Sequence, residues 1–365
     1  MDLMDEIQDY ELEHEFTTND IEEKPLFPED LHRKLTDRTT EFLVGFSRLT
    51  CETIIQDVNN SYFIAIHHFK GERKGALQAN ESIYLSLVYL KRCCTFNEIA
   101  STLKQKSNVV RTAILKGTEA ISKCFVPFDT TLGCPKLETK LNTSEKGHLT
   151  DEAKNSRYII DGRHQRIAAL SSSKAQRRKY YSHKFNNTGL NCQYIINHEG
   201  LCVYLSPSMP ASNSDISMFR CFKTTIMAGL NELMTNVGDS LSPVYILGDK
   251  GYHSESDSEL LSLKNGQNDI TFNRYRILIE NYFGRMIKVF RAAKEPFPLS
   301  EEKYDVFNRA IAHLTNIHIK NSPLRAEEFK ILQFSYDKIE KYHKEKAERH
   351  KIAQRNYQAR IQNMS

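Results

Sequence analysis

The spacing of apolar residues changes once along this chain, and the change limits the folds that it can adopt. Between about residues 37 and 125, apolar residues recur every three or four positions, which is the period of amphipathic helices. From about residue 156 onward, short apolar runs bounded by turn residues alternate with longer helical stretches. We therefore expect an all-α region followed by an α/β region with a mixed sheet and flanking helices.

The α/β region is predicted to contain four strands, at 156–162, 192–197, 201–206 and 243–248, and three helices, at 214–234, 272–290 and 304–321. The turn His198-Glu199-Gly200 would join the second and third strands as a hairpin.

The N-terminal region is predicted to form helices at 82–92, 96–103 and 107–121. The last two have the proportions of a helix-turn-helix, with Arg111 and Lys116 on the second helix. An ordinary three-helix bundle would give the same pattern, so both interpretations stay open.

Five segments follow from these patterns: an acidic leader at 1–36, a helix-turn-helix-like domain at 37–125, a polar linker at 126–155, an α/β domain at 156–335 and a charged tail at 336–365.

Composition narrows the class of protein. The 365-residue chain has a net charge of +4 and no apolar run near the roughly 18 residues that span a bilayer, so no membrane association is expected. Its first residues are acidic and do not resemble a signal peptide. Eight cysteines without a CxxC pair favour a reducing compartment, which leaves both nucleus and cytoplasm open.

Four carboxylates stand out because the predicted elements would hold them rigidly. Asp161 follows the apolar run Tyr158-Ile159-Ile160 near the end of the first predicted strand, and Asp249 follows the fourth strand. Glu280 lies within a predicted helix and Asp215 lies at the start of one. Oxygen ligands of this kind suit Mg²⁺ or Mn²⁺, and two such ions about 4 Å apart can drive phosphodiester cleavage. The set therefore predicts a divalent-metal site for phosphoryl transfer on a nucleic acid.

Each carboxylate also has an ordinary structural explanation. Asp161 and Asp249 both precede glycine-containing sequences that are typical of turns. Asp215 could cap the helix that it opens, and Glu280 could pair with Arg276 on a helix surface.

Several segments, in a fixed order over about residues 156–320, resemble the Harbinger-type transposases and transposase-derived nucleases. These are DDE endonucleases with a ribonuclease-H-like fold. The segments are Ile159-Ile160-Asp161-Gly162-Arg163-His164, Tyr180-Tyr181-Ser182-His183-Lys184, Ser208-Met209-Pro210-Ala211-Ser212-Asn213-Ser214-Asp215, Leu247-Gly248-Asp249-Lys250-Gly251-Tyr252, and Phe272-Asn273-Arg274 followed by Arg276, Glu280 and Phe283-Gly284-Arg285.

The resemblance implies that Asp161, Asp249 and Glu280 form a catalytic triad. It implies that the same three residues and Asp215 are the metal ligands, for Mg²⁺ or Mn²⁺. It also implies that Arg276 orients Glu280 or contacts DNA.

The chain departs from the family pattern at two positions. Arg163 stands where the family often has a small hydroxyl residue, and it could bind phosphate or weaken metal binding. Ser214 stands where the family tends to have histidine, which leaves the role of Asp215 the least defined.

A basic segment at 174–184 lies between the first two predicted strands and contains no acidic residue. Its charge predicts contact with phosphates, and its tyrosines could stack on unpaired bases. A solvated loop is the alternative. The predicted DNA-binding residues are Lys174, Arg177, Arg178, Lys179, Tyr180, Tyr181 and Lys184, together with Arg276.

The function that fits best is a metal-dependent DNA endonuclease or transposase that uses a two-metal DDE mechanism, with strand transfer as a further activity. One rival is a catalytically silent, transposase-derived DNA-binding protein. The other is a glycoside hydrolase with paired carboxylates, which the absence of Trp makes less attractive. The resemblance implies a DNA substrate, a homo-oligomer, a separate DNA-binding partner protein and a nuclear location.

Overall fold

The structure is a computed structural model that describes residues 35–61, 77–140, 149–168, 174–239, 242–253, 257–262 and 270–324. Within these ranges, the side chains of residues 174–176 and 270–276 are not described. The predicted tail at 336–365 and nearly all of the predicted leader at 1–36 therefore lie outside the described residues.

The N-terminal region is helical, as predicted, and its helices are α1 (Asp37–Val44), α2 (Arg48–Ser61), α3 (Ala79–Arg92), α4 (Phe96–Thr102) and α5 (Ser107–Lys123). Helix α4 begins with a capping box in which Thr95 accepts from the Glu98 amide and Glu98 accepts from the Thr95 amide. Helices α3 and α5 cross closely, since a Cβ built on Gly117 would lie 2.1 Å from the Ser82 carbonyl oxygen. Only glycine permits this crossing.

The α/β region follows in the predicted order. Its elements are α6 (Asp151–Asn155), β1 (Tyr158–Arg166), α7 (Lys174–Tyr180), β2 (Tyr181–Ser182), β3 (Asn187–Asn197), β4 (Cys202–Leu205), β5 (Met209–Pro210), α8 (Asp215–Asn236), β6 (Ile246–Leu247), β7 (Leu260–Leu261), α9 (Ile270–Val289) and α10 (Glu301–Asn321).

The strands form one mixed sheet, which confirms the predicted sheet type. Its order is β2-β3-β1-β6-β7, and β4 and β5 also pair with β3. Strand β1 is antiparallel to β3, whereas β6 is parallel to β1 and β7 is parallel to β6. The predicted hairpin is present, since β3 and β4 pair antiparallel and Gly200 adopts a positive φ of 82° between them.

Three predictions about element boundaries were wrong. Strand β1 continues through Arg166, since its second half also pairs with β3. That half is polar, so it has no apolar pattern from which a strand could be predicted. Strand β6 contains only Ile246 and Leu247 of the six residues predicted. The basic segment is not a loop between strands but helix α7 followed by β2.

The two regions share one hydrophobic core. Helix α5 packs against α3 and against the C-terminal helix α10, and the buried apolar cluster extends from Leu35 to Ile319. Helix α8 contributes Phe219, Ile226 and Leu230 from the apolar face that its sequence predicted. The division into separate domains stays a prediction.

Of the helices in the described part of the chain, none combines the length and apolar character needed to cross a membrane.

Candidate active site

Two of the four carboxylates occupy equivalent positions on neighbouring parallel strands. The pairing of β1 with β6 ends at Ile159 and Leu247, and Asp161 and Asp249 each lie two residues beyond that pair. Adjacent strands are about 4.8 Å apart, so the two aspartates start from neighbouring backbone positions.

The backbone next to each aspartate helps to orient its carboxylate. Oδ1 of Asp161 accepts from the Gly162 amide at 2.8 Å, and Oδ1 of Asp249 accepts from the Gly251 amide at 2.7 Å. The turn interpretation thus describes Asp249 correctly. It was wrong for Asp161, which lies within β1 rather than at its end.

Asp215 lies on helix α8, and its carboxylate reaches the backbone beside Asp161 and Asp249. The residue that caps this helix is Ser214, whose hydroxyl accepts from the Ser217 amide at 3.3 Å, so the capping role considered for Asp215 was wrong. Asp215 is the first residue of the helix, and its carboxylate extends towards β1.

Two glycines make room for the Asp215 carboxylate. A Cβ built on Gly162 would lie 2.3 Å from its Oδ1, and one built on Gly251 would lie 3.4 Å from its Oδ2. The carboxylate therefore lies between the backbone beside Asp161 and the backbone beside Asp249. The distances between these residues were not predictable from their spacing in the sequence.

The charges of all three aspartates act on one buried tyrosine, Tyr252, so the three residues lie around it. Burial raises the pKa of Tyr252 well above its ordinary value, and the charges of Asp215, Asp161 and Asp249 raise it further. The Tyr252 hydroxyl accepts a hydrogen bond from Nε2 of Gln193 at 3.0 Å. Sequence reasoning assigned no role to Tyr252, and its only signal was its place directly after the Asp249 segment.

The Asp215 carboxylate is itself perturbed by this setting. Burial raises its pKa, Lys184 opposes that shift, and the neighbouring charge of Asp249 raises the pKa further. Like charges are thus held together beside the first half of β1, and a bound cation would relieve their repulsion.

The faces of the sheet separate Asp161 from Asp215. Successive side chains of a strand point to opposite faces, so Asp161 lies on one face of β1 while Asp215 approaches from the Gly162 face. Helix α9 covers the Asp161 face: its Phe283 ring packs 5.2 Å from that of Tyr194, which is the cross-strand partner of Asp161.

Glu280 is half-buried on α9 and lies one helical turn before Phe283. It therefore belongs to the helix that covers the Asp161 face. The contacts that group the three aspartates around Tyr252 do not include it.

Among the side chains that the structure describes, no group of three or more His, Cys, Asp and Glu residues is arranged to hold a metal ion. The approach of Asp215 from the opposite face gives a physical reason. The donor chemistry nevertheless fits a hard cation, since Asp161, Asp249 and Asp215 offer only carboxylate oxygens.

The basic segment lies beside the aspartates. Arg177, Arg178, Lys179 and Lys184 are exposed, and Lys184 is close enough to Asp215 to lower the pKa of that carboxyl. The side chains of the other two basic residues predicted to contact DNA, Lys174 and Arg276, lie outside the described residues.

Both tyrosines of the basic segment already have partners within the fold. Tyr180 is half-buried and its hydroxyl donates to Glu301, while the Tyr181 hydroxyl donates to Asn186. The Tyr181 ring also meets His183 edge-on, with centroids 5.1 Å apart. Stacking on a base would have to use ring surface that these contacts leave open.

Arg163 is unsuited to binding phosphate, because its guanidinium is not at the surface, whereas its effect on metal binding stays a prediction. The side chain is 8% exposed, and it donates to the Ala293 carbonyl and, at 2.9 Å, to Oε1 of Gln165. We interpret Arg163 as a residue that ties β1 to the segment after α9.

Comparison with known proteins gives a similarity to one family. No curated protein and no solved structure matches the chain. The model of one family, described as DDE superfamily endonuclease, matches residues 160–316, somewhat less than half of the chain. The matched range contains Asp161, Asp215, Asp249 and Glu280, and it makes this part of the chain similar to the transposase-like nucleases of the DDE superfamily.

Proposed function

We propose that this protein is a divalent-metal-dependent DNA endonuclease of DDE type, related to the Harbinger transposases. The observation that carries the proposal is the grouping of Asp161, Asp215 and Asp249 around Tyr252, at the position where β1 and β6 stop pairing. Like-charged carboxylates brought together from three distant parts of the chain are costly unless a cation binds them.

The sheet supports a ribonuclease-H-like fold as the finer description. Its strands are mixed, and helices cover both faces, with α9 over the Asp161 side and α8 on the Gly162 side. This layering holds acidic residues rigidly beside a central strand.

Asp161, Asp249 and Glu280 would hold Mg²⁺ or Mn²⁺, with Asp215 as a further ligand. When bound, two such ions activate the attacking oxygen and stabilise the leaving oxygen of the phosphodiester. Within the chain, the Gly162 and Gly251 amides orient two of these carboxylates, and Gln193 positions the Tyr252 hydroxyl beside them.

The basic segment would bind the DNA backbone next to this site. Arg177, Arg178, Lys179 and Lys184 are exposed and lie on an element that begins beyond the end of β1. Neutralising phosphates with these side chains would make DNA affinity fall steeply with added salt.

Helices α4 and α5 are proposed as a helix-turn-helix. Residues 103–106 join them, and Arg111 is exposed in the N-terminal half of α5, the part of a recognition helix that contacts base edges. Lys116 is half-buried further along the same helix. A bundle without DNA contact is the alternative.

A nuclear location, a homo-oligomer and a separate DNA-binding partner protein complete the proposal. They rest on the family resemblance. The cytoplasm remains the alternative location.

Nicking of supercoiled DNA with Mg²⁺ or Mn²⁺ tests the proposal. We expect the wild type to nick DNA and the variants Asp161→Asn, Asp249→Asn and Glu280→Gln to lose about 10³-fold or more in rate. Each variant should keep its DNA affinity, measured separately by fluorescence anisotropy.

Matched controls are Asp151→Asn at the exposed start of α6 and Glu199→Gln in the β3–β4 turn, which should cleave like the wild type. A wild type that binds DNA but shows no metal-dependent nicking would favour the silent DNA-binding protein. Equal nicking by wild type and all three site variants would exclude the assigned triad.

A further inference from the structure

A second concentration of positive charge lies away from the aspartates. A groove of about 580 Å³ opens between the N-terminal helices and the helix pair α9 and α10. Its cationic or titratable walls are Lys91 from α3, Arg285 and Lys288 from α9 and His318 from α10, and Glu41 is the acidic residue among them.

Arg285 and His318 are held together by a hydrogen bond, in which Nη1 of Arg285 donates to Nδ1 of His318 at 3.1 Å. Burial lowers the pKa of His318, Arg285 and Lys91 lower it further, and Glu41 opposes the shift. Burial and the neighbouring Arg92 likewise lower the pKa of Lys91, again against the charge of Glu41. An anionic ligand in the groove would favour the charged forms of both side chains.

The groove also presents an unpaired donor. Nδ2 of Asn281 is buried and has no hydrogen-bond partner among the described residues, although Asn281 lines the groove. A buried amide without an acceptor is unfavourable, and a ligand oxygen would satisfy it if the Asn281 side chain turned towards the groove. A Cβ built on Gly284 would meet no atom of the described residues within 4 Å.

We propose that this groove binds the phosphate backbone of DNA, as a second contact separate from the basic segment at 174–184. The proposal rests on the proposed function, which supplies a polyanionic substrate. The groove is open rather than enclosed, so a phosphate backbone could lie along it beside Lys91, Arg285 and Lys288.

Substitutions at Gly284 test the groove without removing any packing. Gly284→Ala is the reference, since alanine fits there and favours the helix. Relative to it, Gly284→Glu should weaken binding of a labelled DNA duplex about tenfold and Gly284→Arg should tighten it. One dissociation constant shared by all three variants would overturn the proposal.

A charge-removal pair supplies a second measurement. Lys288→Gln should reduce the slope of log affinity against log salt by about one, as expected for one lost phosphate contact. Lys320→Gln, exposed on α10 and outside the groove lining, should leave the slope unchanged. Equal slopes for the two variants would contradict a phosphate contact in the groove.

The His318 ring gives a readout that does not depend on cleavage. Duplex binding should raise its pKa, followed by histidine NMR, because a nearby phosphate favours the charged ring. If Gly284→Glu instead abolished binding of a polyglutamate peptide and left DNA affinity intact, the groove would serve an acidic protein and the proposal would be wrong. If the wild type bound no DNA, both proposals would fail, whereas a wild type that cleaves DNA with no effect at Gly284 or Lys288 removes only the groove.

Discussion

The polar side chains in the two halves of strand β1 have opposite kinds of surroundings. In residues 163–166 polar side chains are matched with partners. Arg163 donates to the Ala293 carbonyl, and the two ring nitrogens of His164 lie 2.9 Å and 2.6 Å from the amide oxygens of Asn191 and Asn187.

Around residues 161–162 of the same strand, the neighbouring side chains are carboxylates of like charge. Asp249 is close enough to Asp215 to raise the pKa of that carboxyl, and the charges of Asp161, Asp215 and Asp249 all raise the pKa of Tyr252. Matched polar groups hold a structure together, whereas like charges held close to one another destabilise the free protein and are typical of ligand sites. On the proposed function, one half of the strand serves ligand binding and the other serves stability.

Removing Arg163 should give the largest loss of stability. In Arg163→Met the Ala293 carbonyl and the Gln165 side chain lose a charged donor in a buried setting, so the free energy of unfolding should fall by about 2–3 kcal/mol. Urea denaturation measures this. Arg177→Met, exposed on α7, should change stability by less than about 0.5 kcal/mol.

A pair of glycine substitutions compares the two halves directly. In Gly189→Ala the new Cβ would lie 2.5 Å from the Gln165 carbonyl oxygen, a backbone atom that cannot rotate away, and about 2 kcal/mol should be lost. In Gly162→Ala the closest atom is Oδ1 of Asp215, which can turn aside, so the stability loss should be smaller. The rate of DNA nicking should nevertheless fall more in Gly162→Ala than in Gly189→Ala. If Gly189→Ala lost more nicking activity, that result would contradict a role in cleavage for the position of Asp215.

Divalent cations should stabilise the folded protein only by binding to the aspartates beside residues 161–162 of β1. At a Mn²⁺ concentration ten times Kd, linkage predicts a gain of about 1.4 kcal/mol in the wild type. The gain should largely disappear in Asp249→Asn and persist in Arg163→Met. Thermal denaturation with and without Mn²⁺ checks this, and equal gains in all three proteins would place the metal elsewhere.

The smallest effect is expected for Asp215→Asn, and it should be a gain in stability. The pKa of Asp215 in the folded state lies above its unfolded value of about 4. Between these two pKa values the folded protein holds a proton that the unfolded chain has lost. The stabilisation that this proton provides is therefore lost as the pH rises through the folded-state pKa. The variant should match the wild type below about pH 4 and exceed it by about 0.5 kcal/mol at pH 7. A wild type that is more stable than the variant at pH 7 would mean that Lys184 compensates the carboxylate fully.

Much of the architecture could be predicted from local patterns. Helices α3, α4 and α5, the β3–β4 hairpin and the long helices α8, α9 and α10 all follow from apolar periodicity and turn residues. The polar half of β1 could not be predicted, because its side chains are matched by residues such as Asn191 that lie far along the chain. Strands β6 and β7 are too short for a reliable pattern.

The sequence by itself determined which carboxylates to consider and which segments resemble the DDE endonucleases, because residue types and their order are local information. Only the tertiary structure decided that Ser214 rather than Asp215 caps α8, that Arg163 is buried, and that Asp215 reaches β1 across Gly162. These outcomes depend on strand register and on the face from which each helix approaches the sheet. Both are set by packing between residues that are distant in the sequence.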